Sequence, residues 1–81
     1  MEFFVYILCN TQGQYYIGQT SNVALRFQRH NEGKVFWTKN KGPWKVIYNR
    51  QFPTRSAAMK EEKHLKNLKS KSALEVLIAQ R

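Results

Sequence analysis

The segment "FFVYILCNTQGQYYIG", residues 3–18, constrains the fold more than any other part of the chain. Its two arms are aromatic and β-branched, which suits a pleated strand, and a polar tetrapeptide separates them. Residues 3–9 read as one strand and residues 14–18 as its partner. Asn10-Thr11-Gln12-Gly13 fits a type I turn followed by a glycine in the left-handed region, the three-residue loop with a bulge. Asparagine favours the first turn position, and Gly13 takes a positive φ without a Cβ clash. With Thr11–Gly13 as the loop, Asn10 faces Gln14, Leu8 faces Tyr16 and Tyr6 faces Gly18. Side chains alternate along a strand, so Tyr6 and Tyr16 emerge on one face as diagonal neighbours and Tyr15 and Ile17 on the other. A loop one residue shorter or longer would put Tyr6 and Tyr16 on opposite faces. Gly18, opposite Tyr6, leaves space beside the phenol.

The remaining chain supplies layers to cover such a hairpin. "TSNVALRFQRHN" offers Thr20, Ser21 and Asn22 as N-caps for a helix of about 8–9 residues ending near Asn31-Glu32-Gly33. Residues 33–43 form a glycine- and lysine-rich loop, and "WKVIYNRQF", residues 44–52, alternates as a third strand. Pro53 and Thr54 open a helix running to about Lys69, and residues 72–80 make a short last one. The order ββαβαα predicts an α+β fold: a three-stranded antiparallel sheet, the hairpin plus a third strand, packed with three helices. With 81 residues, no repeat and no internal linker, residues 1–81 read as a single domain.

Charge narrows the partners. Fourteen Lys and Arg against five Asp and Glu give a net charge of +9. A folded domain this basic meets a polyanion, nucleic acid before an anionic membrane surface. Cys9 is the only cysteine, which excludes an internal disulfide, and its apolar setting suits a small buried hydrophobe in a reducing compartment. The start "MEFFVYILCN" carries an acid at position 2 and an apolar run too short for a signal peptide or a membrane span. The expectation is a cytoplasmic protein, a monomer by default, with DNA or another nucleic acid as partner and neither a membrane nor a disulfide partner.

"VYI" at residues 5–7 and "YIG" at 16–18 resemble the two halves of the GIY-YIG nuclease signature, with Val5 where the namesake has glycine. "GQTSNVALRFQRHN" resembles the stretch that follows, placing Arg26 and His30 at matching positions. "GPWKVIYNRQFPTRSAAMKEEKHLKNLK" resembles the third strand and acidic helix, where Glu62 matches the family's glutamate. The likeness spans essentially the whole chain, is most marked to short stand-alone bacterial members, and lacks an asparagine beyond the glutamate, Asn67 being too close. It implies a metal-dependent endonuclease acting on DNA phosphodiesters, in DNA repair or processing. Carried over, Glu62 would bind Mg²⁺ or Mn²⁺, and a lone carboxylate suffices because Mg²⁺ keeps most of its waters. Tyr6 would be the general base, with Tyr16 as orienting partner or alternate base. A phenol with a pKa near 10 needs cations to depress it, and Arg26 and the metal are the obvious ones. Arg26 would also clamp the phosphate, and His30, one turn later, would bond a tyrosine or phosphate or share proton transfer.

Each residue also has a plainer reading. Tyr6 and Tyr16 in isolation are half-buried strand aromatics, Arg26 a solvated helix charge, and His30 a partner for the helix dipole. On the acidic helix, Ala57, Ala58, Met59, Leu65 and Leu68 define an apolar stripe; Glu61 lies roughly 25° from its centre and Glu62 roughly 75° away. Periodicity thus leaves Glu61 as an alternative, and only the resemblance selects Glu62. Lys34, Lys39, Lys41 and Lys45 surround the 33–45 loop with Trp37 and Trp44 interleaved, a pattern suited to phosphates and unpaired bases. Trp44 equally suits the core. Lys60, Lys63, Lys66, Lys69 and Lys71 form either a second phosphate-facing stripe or a solvated face.

Two function classes stand at this point: a nuclease, and a non-catalytic basic nucleic-acid-binding module on the same scaffold. A membrane-surface helix over residues 54–81 is disfavoured, because acids break its apolar stripe and the sheet needs it for cover.

Overall fold

The computed structural model describes residues 2–68 and 71–79. β1 (Phe3–Asn10) and β2 (Tyr15–Thr20) form the hairpin, followed by α1 (Val23–Asn31), a 3-10 turn at Phe36–Thr38, β3 (Trp44–Phe52), α2 (Arg55–Lys66) and α3 (Lys71–Ala79). The order is ββαβαα, and the three strands make one antiparallel sheet in the order β2-β1-β3.

The turn takes the expected form. Gly13 adopts φ 77, its amide donates to the Asn10 carbonyl at 3.2 Å, and the Asn10 amide donates to the Gln14 carbonyl at 3.1 Å. Leu8 pairs with Tyr16 and Tyr6 with Gly18. Asn10 does more than start the turn. Its Oδ1 accepts from the amides of Gln12 and Gln14, and its Nδ2 donates to Gln14 Oε1 and to the Lys41 carbonyl. One buried amide therefore ties the hairpin tip to the loop before β3.

Alternation along β1 splits the interior into two cores, one on each face of the sheet. Val5 and Ile7 join Tyr48, Ala58, Leu65 and Leu74, under α2 and α3. Tyr6 and Leu8 join Trp44, with Tyr16, Phe27 and Val46 packed against them, under α1. A bulge opposite Ile7 and Leu8 lets Val46 face one core while Ile47 and Tyr48 face the other. Trp44 is core, as its aromatic bulk suggests, whereas Cys9 is half-buried rather than fully enclosed.

The helix ends follow their caps. Asn22 Oδ1 accepts from the Leu25 amide and Thr54 Oγ1 from the Ala57 amide. α2 stops at Lys66, short of the expected Lys69, because Asn67 closes it by donating to the carbonyls of Lys63 and His64. Lys69 and Gln80 lie outside the described residues, as does the Lys71 side chain. The expected stripe on α2 is narrower than five residues: Ala58 and Leu65 are buried, but Met59 is 53% exposed. Among the described residues no helix is long and apolar enough to cross a membrane.

Candidate active site

β1 and β2 deliver two phenols to the face under α1. Tyr6, on the central strand, is 1% exposed. Its ring lies across Gly18, where an added Cβ would stand 2.6 Å from Tyr6 Oη and 2.8 Å from Cζ. The absent side chain at Gly18 thus makes room for the phenol itself and leaves none spare beside it. Tyr16 flanks the pair, its ring centroid 6.3 Å from that of Tyr6 and 4.7 Å from that of His30.

α1 brings His30 into the same space, and this is more than a dipole contact. His30 is 1% exposed, with Nε2 2.9 Å from Tyr6 Oη and Nδ1 2.7 Å from Thr38 Oγ1. Arg26, one turn earlier, interacts with both phenols, and they raise its own pKa. Arg26 Nε is a buried donor without a hydrogen-bond partner.

The electrostatics depart from expectation at Tyr6. Burial dominates and pushes the phenol up to about 12; Arg26 offsets only part of this, and the charges of Tyr16 and Glu62 add to the rise. The anticipated depression by Arg26 fails because the phenol is packed against Gly18, Tyr16 and His30 under α1, and this burial outweighs the nearby cation. Burial, reinforced by Arg26, lowers His30 to about 4. Both shifts favour the uncharged forms, so the resting pair is neutral.

α2 covers the opposite face, and its two glutamates go separate ways. Glu61 accepts from Tyr48 Oη at 2.9 Å and lies 3.7 Å from Arg50 Nη1, half-buried at the edge of the core beneath α2. Glu62 accepts from Gln19 Nε2 at 3.2 Å and pairs with Lys66 at 2.9 Å. Glu62, and not Glu61, is among the charges that act on Tyr6. Gln19, directly after "YIG", thus holds the carboxylate at the end of β2 while its own Oε1 is buried without a partner. Asn49 Oδ1 is also buried and unpartnered, on the β3 residue that pairs with Tyr6.

The basic loop residues stand apart from this cluster. Lys34, Lys39, Lys41 and Lys45 are exposed, and Lys34 pairs with Glu32 at 3.3 Å. Trp37 is 69% exposed and, with Lys41, Tyr16 and Gln14, lines a groove of about 530 Å³ along the open edge of β2. Glu75 is exposed and accepts from Tyr15 Oη at 3.4 Å. Two residues near the cluster escape a reading of sequence. Gln19 carries a usable signal, since alternation turns it toward the helix that bears Glu62. Thr38 carries none, being one polar residue in a polar loop.

A hairpin that sets two tyrosines beside an arginine and a histidine from the next helix, with a helical glutamate nearby, defines the class. Residues 2–75 match the model of the GIY-YIG catalytic domain, and the chain belongs to this family, within the nuclease superfamily that bears its name. It is similar to short bacterial proteins: the UPF0213 protein lwe0147 of Listeria welshimeri is 40% identical over 78 residues, which cover 95% of this chain and 87% of that protein. The UPF0213 protein OB0043 of Oceanobacillus iheyensis is 38% identical over 68 residues, or 83% of this chain and 79% of that one. The solution NMR structure of the UPF0213 protein BH0048 from Bacillus halodurans matches with a TM-score of 0.66 at 33% identity, covering 100% of this chain and 86% of that one.

Nucleases of this family generally use a divalent metal. Among the described residues no three His, Cys, Asp or Glu side chains converge. Glu62 nevertheless offers a hard cation one half-buried carboxylate, held by Gln19 Nε2, with Mg²⁺ or Mn²⁺ taking its other ligands from water and substrate.

Proposed function

We propose that this chain is a single catalytic unit, a metal-dependent endonuclease that hydrolyses DNA phosphodiesters in the cytoplasm during DNA repair or processing. The observation that carries the reading is the buried Tyr6–His30 hydrogen bond at 2.9 Å beside Arg26, with Glu62 held within electrostatic reach.

In this reading Tyr6 Oη takes a proton from the attacking water as its own proton passes to His30 Nε2. The two transfers are concerted with attack, because burial disfavours both the tyrosinate and the imidazolium that a stepwise transfer would leave. Tyr16 packs the pair in place. Arg26 directs its unpartnered Nε–H to a phosphoryl oxygen. Glu62 would hold Mg²⁺ or Mn²⁺ in place of the Lys66 ammonium, and the metal would supply charge neutralisation at the phosphoryl group. Lys34, Lys39, Lys41 and Lys45 take flanking phosphates, and Trp37 stacks on a base.

The alternative, a non-catalytic nucleic-acid-binding module, draws on one observation: Lys66 already neutralises Glu62 at 2.9 Å and competes with a metal. Cleavage of plasmid and single-stranded DNA with Mg²⁺, Mn²⁺ or EDTA separates the two. Metal-dependent cleavage should fall at least about 100-fold in Tyr6→Phe, Arg26→Ala and Glu62→Gln. Undiminished cleavage by Glu62→Gln removes the metal ligand. Salt-sensitive DNA binding without cleavage in any metal establishes the binding module.

A further inference from the structure

His30 Nδ1 lies 2.7 Å from Thr38 Oγ1, and both residues are 1% exposed. A buried threonine hydroxyl on a polar loop is itself unusual, and the loop is built to hold it. The Thr38 amide donates to the Val35 carbonyl, while the Thr38 carbonyl accepts from the Lys41 amide at 3.2 Å and from Trp44 Nε1 at 3.2 Å. Trp44 is fixed in turn by Asn31, which accepts from its amide at 2.7 Å and donates to its carbonyl. Position 38 is thereby locked against the end of α1 and the start of β3.

A count of hydrogens assigns direction to the chain Tyr6–His30–Thr38. The Thr38 hydroxyl has one proton and two neighbours, His30 Nδ1 at 2.7 Å and the Val35 carbonyl at 3.4 Å. A carbonyl can only accept. If the hydroxyl donates to Val35, Nδ1–H donates to Thr38 and Nε2 presents its lone pair to the Tyr6 O–H, so every member is satisfied. In the reverse arrangement Nε2–H donates to Tyr6, and the buried phenol proton must find another acceptor. Among the described residues the other group that hydrogen-bonds the phenol, Arg26, offers only donors.

We infer that Thr38 is a positioning residue that fixes His30 as the Nδ1–H tautomer, with the Nε2 lone pair aimed at Tyr6. The inference rests on the nuclease reading for its catalytic consequence and on geometry alone for the tautomer. Thr38 acts through His30, by deciding which imidazole nitrogen is basic toward the phenol. Without the hydroxyl, His30 loses its Nδ1–H acceptor and the ring samples the tautomer that cannot take the Tyr6 proton.

Long-range ¹H–¹⁵N correlation spectra of the imidazoles test this directly. In the wild-type protein at neutral pH, His30 should show a pyrrole-like Nδ1 and a pyridine-like Nε2, with exposed His64 as the internal comparison. Thr38→Val should shift His30 toward the Nε2–H form or a mixture, and Thr38→Ser should restore the wild-type pattern. In cleavage assays Thr38→Val should lower kcat at least about tenfold with KM little changed, again with rescue by Thr38→Ser. A wild-type Nε2–H tautomer, or an unchanged Nδ1–H tautomer in folded Thr38→Val, overturns the inference. If wild-type protein cleaves nothing, the nuclease reading fails while the spectra still decide the role of Thr38. If Thr38→Val fails to fold, the wild-type spectrum and the Thr38→Ser variant decide it.

Discussion

Gly18→Ala asks for one methyl group where the Tyr6 phenol already lies. The added Cβ would stand 2.6 Å from Oη, 2.8 Å from Cζ and 3.1 Å from Tyr16 Cε1. The backbone does not need glycine, since Gly18 is absent from the positive-φ positions. In an empty strand site the same change would stabilise by roughly 0.5–1 kcal/mol. Here Tyr6 has to move, and His30 blocks it at 2.9 Å. Overpacking costs about 1–3 kcal/mol and the displaced hydrogen bond about 0.5–1.5 kcal/mol, so the net expectation is a loss of about 1–3 kcal/mol. Urea unfolding followed by tryptophan fluorescence reads this for wild type, Gly18→Ala, Tyr6→Leu and the double variant. Leucine lacks the ring atoms that collide with the methyl group. Gly18→Ala should therefore be neutral or stabilising in the Tyr6→Leu background, a coupling of about 2 kcal/mol. Equal destabilisation by Gly18→Ala in both backgrounds would refute the steric argument, as would no destabilisation in the wild-type background.

Acid should weaken the fold through His30. Its pKa falls from 6.5 to about 4 on folding, so its contribution is complete above pH 6.5 and is lost as pH falls through the window to about 4. The total is about 3 kcal/mol, and urea unfolding of His30→Gln at pH 7 and pH 4.5 should lack this slope. Asn10→Ala should cost about 2–4 kcal/mol, because four hydrogen bonds end on that side chain. Asn10→Asp keeps the acceptor for the Gln12 and Gln14 amides but loses the donor to Gln14 Oε1 and the Lys41 carbonyl, so its thermal midpoint should lie between wild type and Asn10→Ala.

What the sequence discloses is what local chemistry determines. The turn at Asn10–Gly13 fixes the hairpin register by itself, and the register places Tyr6, Tyr16 and Tyr15 on their faces before any tertiary contact forms. Caps at Asn22 and Thr54 are equally local. The rest depends on residues far apart in the chain. The upward shift at Tyr6 follows from burial against Tyr16 and His30, which come from two later elements and lie in no common window of sequence with it. Met59 fits an apolar stripe drawn around an ideal helix, yet the real contact is narrower and leaves it in solvent. Glu61 and Glu62 are adjacent and chemically identical; Tyr48 and Gln19, from different strands, separate them. Thr38 gains its meaning from His30, eight residues earlier, only once α1 and the loop have packed.

The two cores share one thin wall. Odd-numbered residues of β1 such as Val5 and Ile7 serve the layer under α2 and α3, and the even-numbered Tyr6 serves the layer under α1. The phenol, imidazole and guanidinium thus stand on one side of a single sheet, while Glu62 comes from the helix that covers the other. Repacking Val5, Ile7 or Leu74, for a hotter host or a harsher buffer, would therefore also shift the seat of α2, through Ala58 and Leu65, and with it the carboxylate. A laboratory redesign of this chain has one dial for both layers, because α2 is at once a lid on the core and the carrier of Glu62.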